Sequence, residues 1–315
     1  MQSLARKHFP RIVFRRHEKR LWNPLTKKPL KNRPEERVRL RLIESLLEDT
    51  GWSKHRISTE LPVEFERDEA PIRADILCYS RAFEPRLLIE CKAENVALTE
   101  KTAEQIARYN TVVKAPYLMM SNGIEDRWYA VGRGKDITPL RELPEILDWR
   151  RNLGEQPYAY WVERGFAGHA ASPGLRHWLG VAVPAFWKEE KPNARYLSFN
   201  QSPDELYPDH YYRIFPFPRA GHPVPDKVAI SFTSTPYGAT HLLGIINRDD
   251  ANVGIIAVNL DLLADGETPN TSLYHAGGRQ TADAAGPLQF NLPEYEPAHL
   301  EGLPRRILDW FNEFE

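Results

Sequence analysis

The sequence predicts two regions of different class, a mixed α/β domain in the first half and an antiparallel β-rich domain in the second half. Up to about residue 148, a helical pattern is followed by three strand-like runs, a second helical pattern and two further strand-like runs. From residue 196 onward, short apolar runs alternate with turns rich in Pro, Gly, Asn and Asp. A mixed sheet flanked by helices, followed by a sandwich-like β domain, is therefore expected.

The first helix is predicted over residues 34–48. Pro34 and the acidic residues that follow it suit the first turn of a helix. At 100° per residue, Glu36 lies on the same stripe as Leu40 and Ile43, so its side chain is expected to point inward. The remaining elements of this half are predicted as strands over 57–66, 73–79 and 87–92, a helix over 100–113, and strands over 117–121 and 128–131.

Two neighbouring strands bring polar residues to one edge of the sheet. Alternation puts Glu90 and Lys92 on one face of their strand. In the preceding strand, Asp75 and Leu77 share a face for the same reason. The polar turn over residues 80–85 has hairpin length, so antiparallel pairing would bring Asp75 close to Glu90. Cys78 and Cys91, the only cysteines, are expected on the opposite face as buried thiols, with a disulfide as the alternative.

Two carboxylates and a lysine in this arrangement suit metal-dependent phosphodiester hydrolysis. Carboxylate oxygens are ligands that Mg²⁺ prefers, and a lysine can orient or help to deprotonate a water molecule. An isolated Glu-x-Lys is more often solvated or salt-bridged, however. The chain contains a second copy at residues 189–191 that has no aspartate at a comparable distance upstream. The prediction therefore depends on the surrounding pattern and not on the tripeptide.

Composition places the chain among ordinary globular proteins. Its 315 residues suffice for two domains, and the sequence has no transmembrane run, low-complexity tract or secretory signal pattern, so a cytoplasmic location is expected. Residues 1–41 contain 14 Lys or Arg and three Glu, a net charge of +11, although the whole chain has −1. This basic arm suits a nucleic acid. The alternative is that it neutralises the acidic remainder of the protein.

These residues resemble the N-terminal nuclease domain of type I restriction enzyme R subunits, a member of the PD-(D/E)xK nuclease superfamily, and most closely its stand-alone form. The resemblance covers about residues 21–147. It rests on the motifs PEERVR at 34–39, RAD at 73–75, LIECKA at 88–93, QIARYN at 105–110 and SNG at 121–123. The fold that it implies for the first half is the PD-(D/E)xK core.

The resemblance also implies roles for individual residues. Asp75 and Glu90 would hold the metal, Mg²⁺ or Mn²⁺ in its place, and Lys92 would be the catalytic lysine. Glu36 would complete the site, and Gln105 and Tyr109 would support it and its contacts to DNA. The nucleic-acid contacts that we expect come from Arg15, Arg16, Lys27, Lys28 and Arg73.

The supporting residues could also have purely structural roles. Glu36 could instead form a salt bridge with Arg39 or Arg73. Gln105 and Tyr109 could be a polar helix face and a core aromatic. Arg73 could neutralise Asp75 or reach a phosphate. One departure from the family is that alanine precedes Asp75 where proline is frequent.

A second departure is that no G-x-x-x-x-G-K-[ST] phosphate-binding loop occurs in the 315 residues, so an ATP-driven motor would have to be another polypeptide. The predicted function is Mg²⁺-dependent DNA endonuclease of restriction type, with 5′-phosphate and 3′-hydroxyl products. The alternatives are a non-catalytic module that binds nucleic acid or a partner, and a nuclease acting on RNA. A separate motor or specificity protein and a homodimer remain open as partners.

The predicted division of the chain has four parts: a basic arm at 1–30, the nuclease-like domain at 31–148, a connector at 149–195 and the β-rich domain at 196–315. The connector is aromatic and polar without a clear period. The β-rich domain is expected to end in an amphipathic helix from about residue 297, with Leu300, Leu303, Ile307, Leu308 and Phe311 on its apolar face. Its sequence indicates no specific function.

Overall fold

A computed structural model describes residues 1–63, 72–132, 136–147, 156–187, 194–199, 203, 206–289, 292, 300 and 302–314. The chain forms two compact units, Met1–Gly154 and Glu155–Glu315. None of the described helices is both long enough and apolar enough to cross a membrane.

Unit 1 contains a small sheet, a larger sheet and two α-helices. Its elements are β1 (Ile12–Arg15), β2 (Glu18–Asn23), β3 (Lys28–Leu30), α1 (Pro34–Glu48), β4 (Ile57–Val63), β5 (Ile72–Tyr79), β6 (Pro85–Cys91), α2 (Glu100–Val113), β7 (Tyr117–Ser121), β8 (Asp126–Val131) and β9 (Ile137–Leu140). Strands β1 to β3 form one antiparallel sheet, and β4 to β9 form the second in chain order. The second sheet is antiparallel except between β6 and β7, which are parallel and are joined through α2. The predicted mixed α/β core is therefore confirmed.

The six-stranded sheet lies between two apolar clusters. On one face, Ile76, Cys78 and Cys91 pack with apolar residues of α1. On the other face, Leu77 and Leu88 pack with Ile106 and Tyr109 of α2. Both cysteines are buried free thiols on the face predicted for them. The same alternation places Asp75, two residues before Leu77, and Glu90, two residues after Leu88, toward the α2 side.

The predicted basic arm is part of unit 1. Leu4, Ala5 and Leu21 are buried in the cluster against α1. The buried guanidinium of Arg41 donates from Nε to the carbonyls of Ala5 and His8, at 2.7 Å and 2.9 Å. The N-terminal residues thus satisfy a buried cation and extend the core, although many of their basic side chains remain at the surface.

Asp126 holds the same segment from the other side. Its carboxylate accepts a hydrogen bond from the backbone N–H of Leu4 at 2.8 Å, and its side chain is almost fully buried. Burial raises the pKa of Asp126 to about 6, against the lowering effect of bonds from Ser121 and Ser3. Ionisation of this group therefore works against folding at neutral pH.

A pH dependence follows from Asp126. Its pKa is higher in the folded state than in the unfolded state, so the folded state binds the extra proton between pH 4 and 6. Stability from this group is complete below about pH 4 and is lost as the pH rises to 6, by on the order of 3 kcal/mol. We expect Asp126→Asn to lack that loss. The measurement is the difference in unfolding free energy between wild type and Asp126→Asn across pH 4–8, and a flat difference would contradict the expectation.

Unit 2 contains a seven-stranded antiparallel sheet and four α-helices among its described residues. Its elements are α3 (Tyr158–Glu163), α4 (Pro173–Phe186), β10 (Ala194–Leu197), β11 (His210–Phe217), β12 (Asp226–Ser234), β13 (Thr240–Arg248), β14 (Ala251–Asn259), α5 (Leu260–Ala264), β15 (Thr271–His275), β16 (Gly278–Ala282) and α6 (Leu303–Asn312). The strands follow one another in chain order from β10 to β16. The predicted β-rich domain with a closing helix is confirmed.

Two expectations for this half require correction. The described strands form one sheet and not the two packed sheets of a sandwich, because α4 and α6 cover one face: Trp178 of α4 contacts Phe232 of β12, and α6 places Ile307 beside Gly244. The predicted connector at 149–195 contains two helices, α3 and α4, and its described part from residue 156 belongs to unit 2. Likewise, the residues assigned to an arm at 1–30 belong to unit 1.

Several predicted features lie outside the described residues. These are the second Glu-x-Lys at 189–191, the start of the last helix near 297, and the end of the strand predicted over 57–66. All five residues predicted for the apolar face of the last helix are buried.

Candidate active site

Asp75 and Glu90 lie on paired antiparallel strands. The register of β5 and β6 joins Ile76 to Ile89 and Leu77 to Leu88. One further step along this register places Asp75 opposite Glu90, and opposite residues of an antiparallel pair point to the same face. The backbone N–H of Cys91 donates to Oδ2 of Asp75 at 2.7 Å, which fixes the aspartate against the end of β6.

Lys92 follows β6 and turns back to Glu90. Its Nζ donates to Oε1 of Glu90 at 2.7 Å, and its backbone N–H donates to the carbonyl of Ser121 at 2.8 Å. The parallel neighbour β7 therefore holds the backbone of Lys92 in place. Next to Ser121, Asn122 begins a tight turn in which Gly123 has φ +78°, a conformation that favours glycine.

Helix α2 supplies two more side chains. Nε2 of Gln105 donates to Oε1 of Glu90 at 3.2 Å and to the hydroxyl of Tyr109 at 2.5 Å. Oε1 of Gln105 lies 3.5 Å from Nζ of Lys92. Gln105 thus connects both Glu90 and Lys92 to the helix, and Tyr109, itself buried, holds Gln105.

Glu36 approaches the site through an arginine. Arg39, one turn further along α1, pairs with Glu36 and places Nη1 3.4 Å from Oδ1 of Asp75 and Nη2 3.4 Å from Glu60. Of the two arginines predicted as partners of Glu36, the structure shows Arg39; the backbone of Arg73 lies in β5, but its side chain is outside the described residues. The other oxygen of Glu36, Oε2, is buried and has no hydrogen-bond partner within the described parts of the chain.

The surroundings of Asp75 and Glu90 disfavour the charged form of both carboxyl groups and so raise their pKa values. Burial, and then the charge of Asp75, raise the pKa of Glu90 to about 7. Burial also raises the pKa of Asp75, against the hydrogen bond from Cys91 and the charge of Arg39. Burial acts to lower the pKa of Lys92, but its bond to Glu90 and the charge of that group outweigh it, so the pKa of Lys92 is raised. Lys92 therefore carries its charge at neutral pH.

These groups fit a hard divalent cation. The carboxylates of half-buried Asp75 and buried Glu90 repel each other, so a cation between them would relieve the repulsion. The unpartnered Oε2 of Glu36 is an additional oxygen beside Arg39. No set of three or more His, Cys, Asp or Glu side chains is close enough to form a metal cage in the described residues. Mg²⁺ does not require one, because it is commonly held by one or two carboxylates together with water and substrate phosphate.

The predicted nucleic-acid residues of the N-terminal sheet lie at its two turns. Arg15 and Arg16 are at the turn between β1 and β2, Lys27 and Lys28 are at the turn before β3, and all four side chains are exposed. The structure shows no contact between them and the carboxylates. The sequence predicted Arg39 only as a salt-bridge partner of Glu36, because the two residues are three positions apart on a helix. It did not predict that Arg39 also contacts Asp75.

One of three comparisons with known proteins found a similarity. No curated protein and no solved structure matched the chain. Residues 34–144 match the family model described as type I restriction enzyme R protein N terminus. The matched segment begins at the first residue of α1 and contains Asp75, Glu90 and Lys92. Residues 34–144 of this chain are therefore similar to the N terminus of type I restriction enzyme R proteins.

Proposed function

We propose that unit 1 hydrolyses phosphodiester bonds of DNA at the site formed by Asp75, Glu90 and Lys92, with Mg²⁺ as cofactor and Mn²⁺ as its substitute. The observation that carries the proposal is the geometry at the end of β6. Half-buried Asp75 and buried Glu90 occupy opposite positions on paired strands, and the charged Lys92 bonds to Glu90 at 2.7 Å. The family of residues 34–144 supports a restriction nuclease.

Asp75 and Glu90 would hold the cation. Bound there, Mg²⁺ would neutralise charge on the scissile phosphate and lower the pKa of water. The chain's own residues would position the reacting groups. Lys92 presents a cationic donor beside Glu90 that can orient a water molecule or contact a phosphate oxygen, and Gln105 limits the motion of both side chains.

Glu36 has two open roles in this proposal. Its pairing with Arg39 is the salt bridge expected if Glu36 has a purely structural role. Its unpartnered, buried Oε2 favours an additional contact at the site, because buried carboxylate oxygens normally have a partner. Arg39 itself connects Glu36 to Asp75 and so keeps the two acidic groups near one another.

DNA is proposed as the substrate because of the family and because of the exposed cations of the N-terminal sheet. Arg15, Arg16, Lys27 and Lys28 lie in turns where they can reach phosphates, which contribute most of the affinity for nucleic acid. The same site chemistry would cleave RNA. The 315 residues contain no phosphate-binding loop, so we propose no ATP-driven motor function for them.

The second candidate is a non-catalytic module that uses the nuclease fold to bind nucleic acid or a partner. The hydrogen-bonded network of Glu90, Lys92 and Gln105 argues against it, because a binding module has no need for the repelling carboxylates of Asp75 and Glu90. Binding without turnover would be its signature.

The test is incubation of the purified chain with supercoiled plasmid, linear duplex, single-stranded DNA and RNA, each in Mg²⁺, Mn²⁺ or EDTA. Cleavage of DNA is expected with either cation and is expected to be absent in EDTA and in Lys92→Ala. Lys227→Ala is the matched control, because Lys227 is also ion-paired, with Asp250, but lies on strand β12 of unit 2. Cleavage that survives Lys92→Ala would overturn the site, and tight, salt-sensitive binding without cleavage would favour the module.

A further inference from the structure

Unit 1 has an arginine-lined cavity at the end of β5 and the start of β6, away from the carboxylates of Asp75 and Glu90. A cavity of about 230 Å³ is lined by Trp52, Arg56, Tyr79, Arg81 and Arg86, together with small contributions from neighbouring residues. It lies where β4 begins, β5 ends and β6 begins. Among the residues that the structure describes, no acidic side chain lines it.

The three arginines of this cavity have no carboxylate partner within the part of the chain that the structure describes. Arg56 donates to the backbone carbonyl of Gly51 at 2.8 Å, which holds its guanidinium at the cavity wall. Trp52 donates its indole N–H to the carbonyl of Tyr79 at 2.9 Å, so the aromatic wall is also fixed. Three positive charges around one small cavity repel one another, and an anion would remove the repulsion.

The chemistry of the cavity favours a phosphate group over a carboxylate. Arginine guanidiniums present paired N–H donors that match phosphate oxygens, and several arginines around one group suit its greater charge. The hairpin turn between Arg81 and Arg86 also exposes Phe83, whose side chain is 66% accessible and whose φ is +59°. A bulky residue held at positive φ with an exposed ring is costly and is a feature of binding surfaces.

The position along the strands relates the cavity to the carboxylates. Arg86 precedes Glu90 by four residues on β6, and Tyr79 follows Asp75 by four on β5. At about 3.3 Å per residue, the separation along the sheet is roughly 13 Å. Both sites therefore lie on the same pair of strands, at opposite ends.

We propose that this cavity binds a phosphate group, supplied either by the backbone of a nucleic acid cut at Asp75 and Glu90 or by a free mononucleotide. The first source rests on the proposed nuclease function, and the second does not. Arg81 and Arg86 supply the contacts that the ligand forms, and Arg56 is held by the fold.

Binding of a fluorescein-labelled 20-base-pair duplex in EDTA, followed by anisotropy over a range of salt concentrations, tests the first source without any cleavage. Arg81→Ala and Arg86→Ala are compared with Arg141→Ala, an exposed arginine of unit 1 that does not line the cavity. Calorimetric titration with inorganic phosphate and with dAMP tests the second source. Melting curves of every variant confirm that it is folded.

For a backbone phosphate, each cavity variant is expected to weaken duplex binding about 5- to 10-fold and to lower the slope of log K against log salt by about one, while Arg141→Ala changes neither. For a free mononucleotide, dAMP binds to the wild type and not to the cavity variants, and duplex binding stays unchanged. Wild-type binding by both cavity variants in every assay overturns the proposal. Because these measurements need no turnover, they stand even if the plasmid assay shows no cleavage.

Discussion

Replacing Glu90 with glutamine is expected to reduce DNA cleavage in Mg²⁺ by on the order of 10³-fold, because charge stabilisation by a held cation is worth several kcal/mol. Glutamine preserves the shape of the side chain and can still accept from Lys92 and Gln105, which now donate to Glu90. It lacks the negative charge that opposes Asp75. The fold is therefore expected to remain intact while the chemistry is lost.

The measurement is the initial rate of plasmid nicking at saturating DNA, with thermal unfolding in EDTA as the check on the fold. Glu104→Gln is the matched control, because Glu104 is the exposed residue next to Gln105 on α2. Wild-type cleavage by Glu90→Gln would show that the carboxylate pair is not the reactive centre. A loss of cleavage accompanied by a loss of folding would instead make Glu90 a structural residue.

The geometry of the carboxylate pair was predictable because strand alternation is a local rule. Asp75 and Glu90 are separated by one short hairpin, and the apolar residues between them allow one register that buries Leu77 with Leu88. The helical spacing of four residues predicted that Gln105 and Tyr109 share a face, whereas their role at the site was implied only by the resemblance. Each of these relations depends on short stretches of sequence with a known period.

Arg39 was not predictable at the same level. Its contact with Asp75 joins residues 36 positions apart, and the sequence offered Arg73, two residues from Asp75, as an equally good partner. The choice depends on the packing of α1 against the sheet, which buries Arg39 near Asp75. Long-range packing of this kind leaves no periodic signal in the chain.

In the second half of the chain, strands that are buried on both faces make the arrangement of the sheet difficult to predict from the sequence. Strand β12 is buried along nearly its whole length, so its residues do not alternate between apolar and polar in the way that a half-exposed strand does. The helix α4 contains Gly174, Gly180 and Pro184, residues that usually argue against a helix, and its stability comes from packing of Trp178 and Phe186 on Phe232. The strands of this single sheet were therefore predicted as a sandwich, and the helices α3 and α4 that precede it as a connector.

Gly254→Ala is expected to be strongly destabilising, although it adds only one methyl group to unit 2. A Cβ at Gly254 would lie 2.1 Å from two ring atoms of Phe311 and 3.1 Å from the carbonyl of Tyr274. Phe311 is fully buried, so the ring cannot move aside unless α6 moves as well. Overpacking of this kind costs about 2–3 kcal/mol, which for a unit of this size lowers the melting temperature by on the order of 5–10 °C.

Gly180→Ala is the matched control, since a Cβ there meets nothing within 4 Å and the residue is inside α4. This substitution is expected to stabilise the protein by up to about 1 kcal/mol, because alanine favours the helix more than glycine does. Melting curves and denaturant unfolding of both variants give the comparison. If Gly254→Ala is as stable as the wild type, α6 does not pack directly on β14, and the described closing of the sheet by this helix is wrong. Opposite signs for two Gly→Ala changes would show that close approach of α6, and not the loss of backbone freedom in the unfolded chain, determines the effect at Gly254.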